Sequence, residues 1–179
     1  MTRPSPLAQD RDHAHPVTRL GTGDVDVFRA LRLAAMRRSP EAFNSTEAEE
    51  LAKTDVWYRD RLSDDGIFIA GPPERPVGLV GFTRARHAKG RHKGTLYSLF
   101  VDPAARRRGV GRALVEAVIT HAADAVEIVL LSVVTTNQPA IALYEAVGFE
   151  RYGLEKRAMK GADGRYYDDL LMAYHLVRP

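Results

Sequence analysis

The chain predicts a single α+β domain with a mixed central sheet of about six to seven strands, mostly antiparallel with one parallel pair, and helices on both faces. Three observations carry that expectation. Short β-branched and aromatic runs recur between turn residues; apolar residues recur at helical spacing elsewhere; and one strand, helix and strand succession in the second half is long enough to be a crossover. With 179 residues and 45% hydrophobic content, the chain can bury one core and is too short for two domains.

Residues 1–15 are rich in Pro, Asp, Arg and His without an apolar period, and predict a flexible tail ahead of a domain at 16–179. His13-x-His15 has no third ligand nearby, so no metal is expected there. Val17 to Leu20 is a short first strand. Asp24 has the position of an N-cap for a helix with Val25, Phe28, Leu31 and Ala35 on its apolar face, ending before Ser39-Pro40. Thr46-x-x-Glu49 is a capping box and opens a second helical region carrying Leu51, Trp57 and Leu62. Ile67 to Ala70 is a strand, and the Pro72 to Pro76 turn leads to another through Val77, Leu79, Val80 and Phe82. The turn from His87 to Lys93, with His87 and His92 solvated, hands over to the strand Thr95 to Val101. Short turns make these three strands antiparallel neighbours.

Asp102-Pro103 stops that strand, and the basic loop Arg106-Arg107-Arg108-Gly109-Val110-Gly111 follows. From Val110 a helix continues through Leu114, Val115, Val118, Ile119 and Ala122. Val126 to Val134 is nearly all aliphatic, as suits a central strand buried on both faces. The crossover makes it parallel to Thr95 to Val101, with the arginine loop and Thr135-Thr136-Asn137 both at the carboxyl end, where ligands bind. Pro139 suits the first position of a short helix, Ala140 to Val147, which Gly148 ends in left-handed geometry with Phe149 packing back. Arg151 to Lys160 and Tyr166 to Leu176 form a hairpin. Its Tyr166-Tyr167-Asp168-Asp169 run fits either a cleft lining or a solvated edge strand.

Composition narrows the chemistry. There is no cysteine, which excludes disulfides, thiolate metal sites and an acyl-cysteine intermediate. The net charge of +3 is small, and a pI near 9.3 owes much to Arg106 to Arg108, which argues for a local anionic ligand rather than a nucleic-acid groove. No apolar stretch approaches the roughly twenty residues of a membrane span, and the N-terminus lacks a signal-peptide core, so the expectation is a cytoplasmic protein without a membrane partner.

The loop itself discriminates among anion sites. Glycines admit close backbone approach, and unpaired N–H groups at the positive end of a helix attract an anion. A Walker loop needs Gly-x-x-x-x-Gly-Lys-Ser/Thr, which the chain lacks. The dinucleotide fingerprint counted from Gly109 and Gly111 puts its third glycine on Leu114. Arg106-x-x-Gly109-x-Gly111 instead resembles the pyrophosphate loop of the GNAT superfamily of N-acetyltransferases. Asn137, then Leu143-Tyr144-Glu145 and Gly148-Phe149, resembles the second signature of that family at the expected distance.

The resemblance covers roughly Val17 to Leu176. It implies a parallel strand pair splayed at an acetyl-CoA site, with Arg106, Arg107, Arg108, Gly109, Val110, Gly111 and Arg112 around the pyrophosphate. Leu99, Phe100 and Val101 would line the pantetheine, Asn137 and Tyr144 would lie beside it, and Tyr144 would be the acid for the departing thiolate. It further implies a direct attack by an amine of a small molecule, or of a peptide or protein, with no metal and with room for a homodimer. A non-catalytic acyl-CoA-binding module is the alternative of another class. One departure stands out. Many members carry a glutamate base where this chain has Thr95 or Ser132, so water or a carboxylate such as Glu47, Glu49 or Glu50 is left to accept the amine proton.

Overall fold

The computed structural model describes residues 15–40, 43, 45–161 and 163–176, so the predicted tail lies outside the described residues except for His15, and so does His13. Among them the strands are β1 (Val17–Arg19), β2 (Gly66–Ala70), β3 (Gly78–Arg84), β4 (Lys93–Val101), β5 (Ile128–Val134), β6 (Glu150–Lys160) and β7 (Tyr166–His175). The helices are α1 (Val25–Arg38), α2 (Glu47–Leu51), α3 (Asp55–Asp64), α4 (Val110–Ala122) and α5 (Gln138–Val147). One 7-stranded sheet runs in the order β1-β2-β3-β4-β5-β7-β6, with β4 and β5 parallel and the other neighbours antiparallel.

Alternation along the strands feeds two cores. On one face Phe68, Val80, Phe82, Leu96, Val129, Leu131, Val133 and Met172 meet Leu114, Val115 and Val118 of α4 and Ile141 and Tyr144 of α5. On the other, Ile67, Ile69, Leu79 and Phe100 meet Phe28, Leu31 and Ala35 of α1 and Tyr58 and Leu62 of α3. Each fully buried Leu or Val contributes about 1.5–3 kcal/mol. The amphipathic stripes of α1 and α4 therefore decide which side of the sheet each helix takes.

Four expectations change. The second helical region is two helices, because Thr46 and Thr54 each cap their own: Glu49 N–H donates to the Thr46 hydroxyl, and Trp57 N–H to that of Thr54. Leu51, expected on the apolar face, closes the short α2 and is 60% exposed. β5 is central but not buried on both faces, since Ser132 is exposed and Ile128 and Leu130 are half-buried. The hairpin inserts its second strand, so β7 lies between β5 and β6 and is not an edge. No helix among the described residues is long and apolar enough to cross a membrane.

Candidate active site

The parallel pairing of β4 with β5 covers only Lys93 to Thr95 against Ile128 to Leu130. Beyond that point β4 follows β3 to Val101, and β5 follows β7 to Val134. The strands part, leaving a gap flanked by backbone from Leu96 onward on one side and from Leu131 onward on the other. β4 also shifts register between Leu79 and Gly81, where Ser98 takes a left-handed φ of 55°. Non-glycine residues rarely stay there unless held. Here Arg32 Nη1 donates to Ser98 Oγ at 2.8 Å, and Arg32 Nε to Glu50 Oε1 at 2.6 Å. Tyr58 Oη donates to Glu50 at 2.8 Å, and Lys53 Nζ at 2.7 Å.

At the far end of the gap sits the arginine loop. Ala113 N–H is the first in α4 to reach a backbone acceptor, the Gly109 carbonyl at 3.0 Å. From Arg107 to Arg112 the N–H groups make no backbone hydrogen bond among the described residues. Gly109 caps the helix at φ 78° and Arg107 stands at φ 60°, left-handed geometry of the kind that lets neighbouring N–H groups converge on an anion. The donors fit a diphosphate: they are contiguous, at the positive end of a 13-residue helix, with Arg106, Arg107 and Arg108 exposed around them. The side chains divide. Arg106 Nε donates to the Val101 carbonyl at 3.2 Å, tying the loop to β4. Arg112 is committed to Glu116 and the Ala146 carbonyl, and so offers the site its N–H alone. A Cβ on Gly111 would meet Leu143 Cδ2 at 3.0 Å, so this glycine lets α4 and α5 pack closely.

Across the gap, α5 starts at Asn137, whose Oδ1 accepts from Ala140 N–H at 3.3 Å. The side chain caps the helix and keeps its amide N–H₂ free to donate. Tyr144 is 5% exposed, packs against Phe149 with ring centroids 5.6 Å apart, and is pushed above the usual phenol range by burial. It therefore stays protonated as a donor. Leu99 and Val101 pack toward the α4 and α5 core, whereas Phe100 turns into the α1 and α3 core.

The candidate bases are not alike. Glu49 is held below the usual carboxylate range by the backbone and hydroxyl of Thr46 in the capping box. Burial pushes Glu50 up, but Lys53, Arg32 and Tyr58 outweigh it and hold it down. Glu47 pairs with Arg37 at 2.6 Å on the surface. Glu49 and Glu50 are thus held as carboxylates with their partners already in place. Thr95 and Ser132 are exposed, on the two strands that border the gap. Sequence reasoning left Asp169 undecided within its tyrosine and aspartate run and did not find Asp65. Both are buried carboxylates with an oxygen lacking a partner, and only the fold shows that burial. Asp65 is engaged on its other side by Tyr97 Oη at 2.8 Å and Arg61 at 2.7 Å.

The family model described as the acetyltransferase (GNAT) family matches residues 29–149. The chain is 33% identical over 137 residues to the mycothiol acetyltransferase of Salinispora arenicola (strain CNS-205), covering 75% of this chain and 43% of that protein. It is also 33% identical over 159 residues to the mycothiol acetyltransferase of Propionibacterium freudenreichii subsp. shermanii, with 83% and 48% covered. It thus spans less than half the length of these curated relatives. In fold it is similar to yncA from Salmonella typhimurium, a structure solved with its cofactor acetyl-CoA, at a TM-score of 0.74 and 18% identity over 92% of this chain and 95% of that one.

Proposed function

Because the chain belongs to the acetyltransferase (GNAT) family, we propose that its residues 16–179 move an acetyl group from acetyl-CoA to the primary amine of a small molecule, by direct attack in a ternary complex. The observation that carries this reading is the unbroken run of acceptor-free N–H groups from Arg107 to Arg112, opening beside the gap between β4 and β5. A pyrophosphate offers such donors the oxygens they lack, and Arg107 and Arg108 add charge to the same place. The chain's similarity to two mycothiol acetyltransferases, enzymes named for a small molecule, supports the acceptor class.

In this reading acetyl-CoA supplies the activated acyl carbon, and the protein supplies position and polarity. Backbone from Leu99 to Val101, with no strand partner on the β5 side, would align the pantetheine, and an N–H there would polarise the thioester carbonyl. As the amine nitrogen bonds to the carbonyl carbon and the carbon–sulfur bond breaks, Tyr144 would donate toward the sulfur. Burial keeps the phenol protonated, and the same dry surroundings penalise a bare thiolate. Asn137 would hold the pantetheine arm with its free amide.

Calorimetric titration with CoA, paired with free-thiol release from acetyl-CoA across amines, amino acids, aminoglycosides and peptides, tests the reading. Expected are CoA binding that Gly109→Glu abolishes, and turnover with a small amine. Turnover with peptides alone would overturn the acceptor class. CoA binding without thiol release from any amine would make the chain a binding module, and steeply salt-dependent binding to duplexes without CoA affinity would overturn the site.

A further inference from the structure

Building on that reading, we propose that Asp169 is the acceptor of the amine proton, which it draws through the Ser132 hydroxyl. The register places the two residues together. Val129, Leu131 and Val133 point into the α4 and α5 core, so Ser132 and Val134 point to the opposite face. Asp169 is directly opposite Val134 on β7 and Leu171 opposite Ser132, which makes Asp169 the diagonal neighbour of Ser132 on that same face. Ser132 lies beyond Leu130, where pairing with β4 has ended, and is exposed at the edge of the gap.

The two side chains divide the task. The Asp169 carboxylate has a fully buried Oδ1, while Ser132 is exposed and can meet an amine. A hydroxyl is no base at neutral pH, but it can accept a hydrogen bond from the amine while donating its own to a carboxylate behind it. The register makes the Ser132 hydroxyl a same-face neighbour of the Asp169 carboxylate, which it can approach as a donor. Asp169 Oδ1 is buried without any partner, an expense that a purely structural aspartate would be expected to avoid.

The surroundings tune the group for this role. Burial comes first in raising Asp169 above the usual carboxylate range, and the charges of Glu155 and Asp168 add to it. Glu155 faces it from β6, Ser132 from β5, and Asp168 adjoins it on β7 with its Oδ1 held by Arg157 N–H at 2.8 Å. The Ser132 hydroxyl, as a donor, opposes the rise without cancelling it. The base is therefore weaker as an acid than an ordinary aspartate and better matched to neutral pH. The protons balance: the amine nitrogen gains the acetyl carbon and loses a proton through Ser132 to Asp169, the sulfur gains one from Tyr144, and both residues return to their resting states by exchange with water.

The test uses the full chain, acetyl-CoA and the fastest amine of the panel above. Asp169→Asn should lower kcat about 10²–10⁴-fold, leave CoA affinity and KM for acetyl-CoA unchanged, and remove the acidic limb of the pH profile. Ser132→Ala should lose part of the rate, and Asp169→Glu should recover part of what Asp169→Asn loses. Melting temperature separates chemistry from folding: Asp169→Asn should melt no lower than the parent. A normal rate and pH profile in Asp169→Asn would overturn the proposal alone, as would a rate loss matched by lost CoA affinity or lost stability. Absence of thiol release from the unaltered chain would overturn the functional reading itself, and this proposal with it.

Discussion

Arg32 of α1 and Ser98 of β4 are joined by a 2.8 Å hydrogen bond that links the helical layer to the point where β4 leaves regular geometry. The guanidinium also holds Glu50, whose side chain is fully buried. Arg32→Ala would leave that carboxylate with Lys53 as its one cation and Ser98 without its anchor. Removing one partner of a buried pair costs about 3–5 kcal/mol, so a large fall in denaturant midpoint is expected. A fall of less than 1 kcal/mol would show that the network does not hold β4.

The same network predicts an acid transition. Glu50 has its folded pKa below the reference value of 4.5, with burial opposing the shift and Lys53, Arg32 and Tyr58 outweighing it. A depressed carboxylate adds stability above its unfolded pKa and loses it as pH falls through the folded value. Stability should therefore drop below pH 4.5, and Glu50→Gln should flatten that part of the curve. Glu50→Gln should act on melting temperature far more than on the acidic limb of turnover.

Gly109 and Gly111 should fail in different ways. A Cβ on Gly109 meets nothing within 4 Å, so Gly109→Ala is penalised by its φ of 78°, at about 1–2 kcal/mol, and by the loss of aligned N–H groups. Weaker CoA binding with little change in packing is the expected result by calorimetry. Gly111→Ala must move Leu143, only 3.0 Å from the new Cβ, and should lower melting temperature by separating α4 from α5. Equal effects of both variants on CoA affinity alone would contradict this division.

Tyr144→Phe should reduce turnover roughly ten- to ten-thousand-fold while CoA affinity changes little. Burial holds the phenol above its reference value of 10.0, so it stays protonated, and no basic limb from this group should enter the pH profile around neutrality. A Tyr144→Phe protein of normal rate would remove the acid assignment.

Order and type of the elements were legible in the chain because their signals are local. Thr46-x-x-Glu49 closes its capping box within one helical turn, Gly148 is the left-handed stop it was read as, and the arginine loop lies between the strand and helix its spacing implies. Hydrophobic period reports which face is buried, and turn residues report where an element ends, whatever the rest of the fold does. The parallel pair followed from the length of its crossover.

Tertiary structure decided what depends on neighbours remote in sequence. Nothing near Tyr166 to Asp169 says that β7 enters between β5 and β6, yet that insertion buries Asp169 beside Ser132, 37 positions earlier in the chain. Glu49 and Glu50 are adjacent glutamates in the sequence, but a turn of helix points one at Thr46 on the surface and the other at Arg32 in the interior. A carboxylate's protonation is set by the water it loses and the charges it meets. The sequence by itself determined the order of strands and helices and the basic, glycine-containing loop that opens α4; which carboxylates are dry, and which of them are already paired, was decided only when distant strands came together.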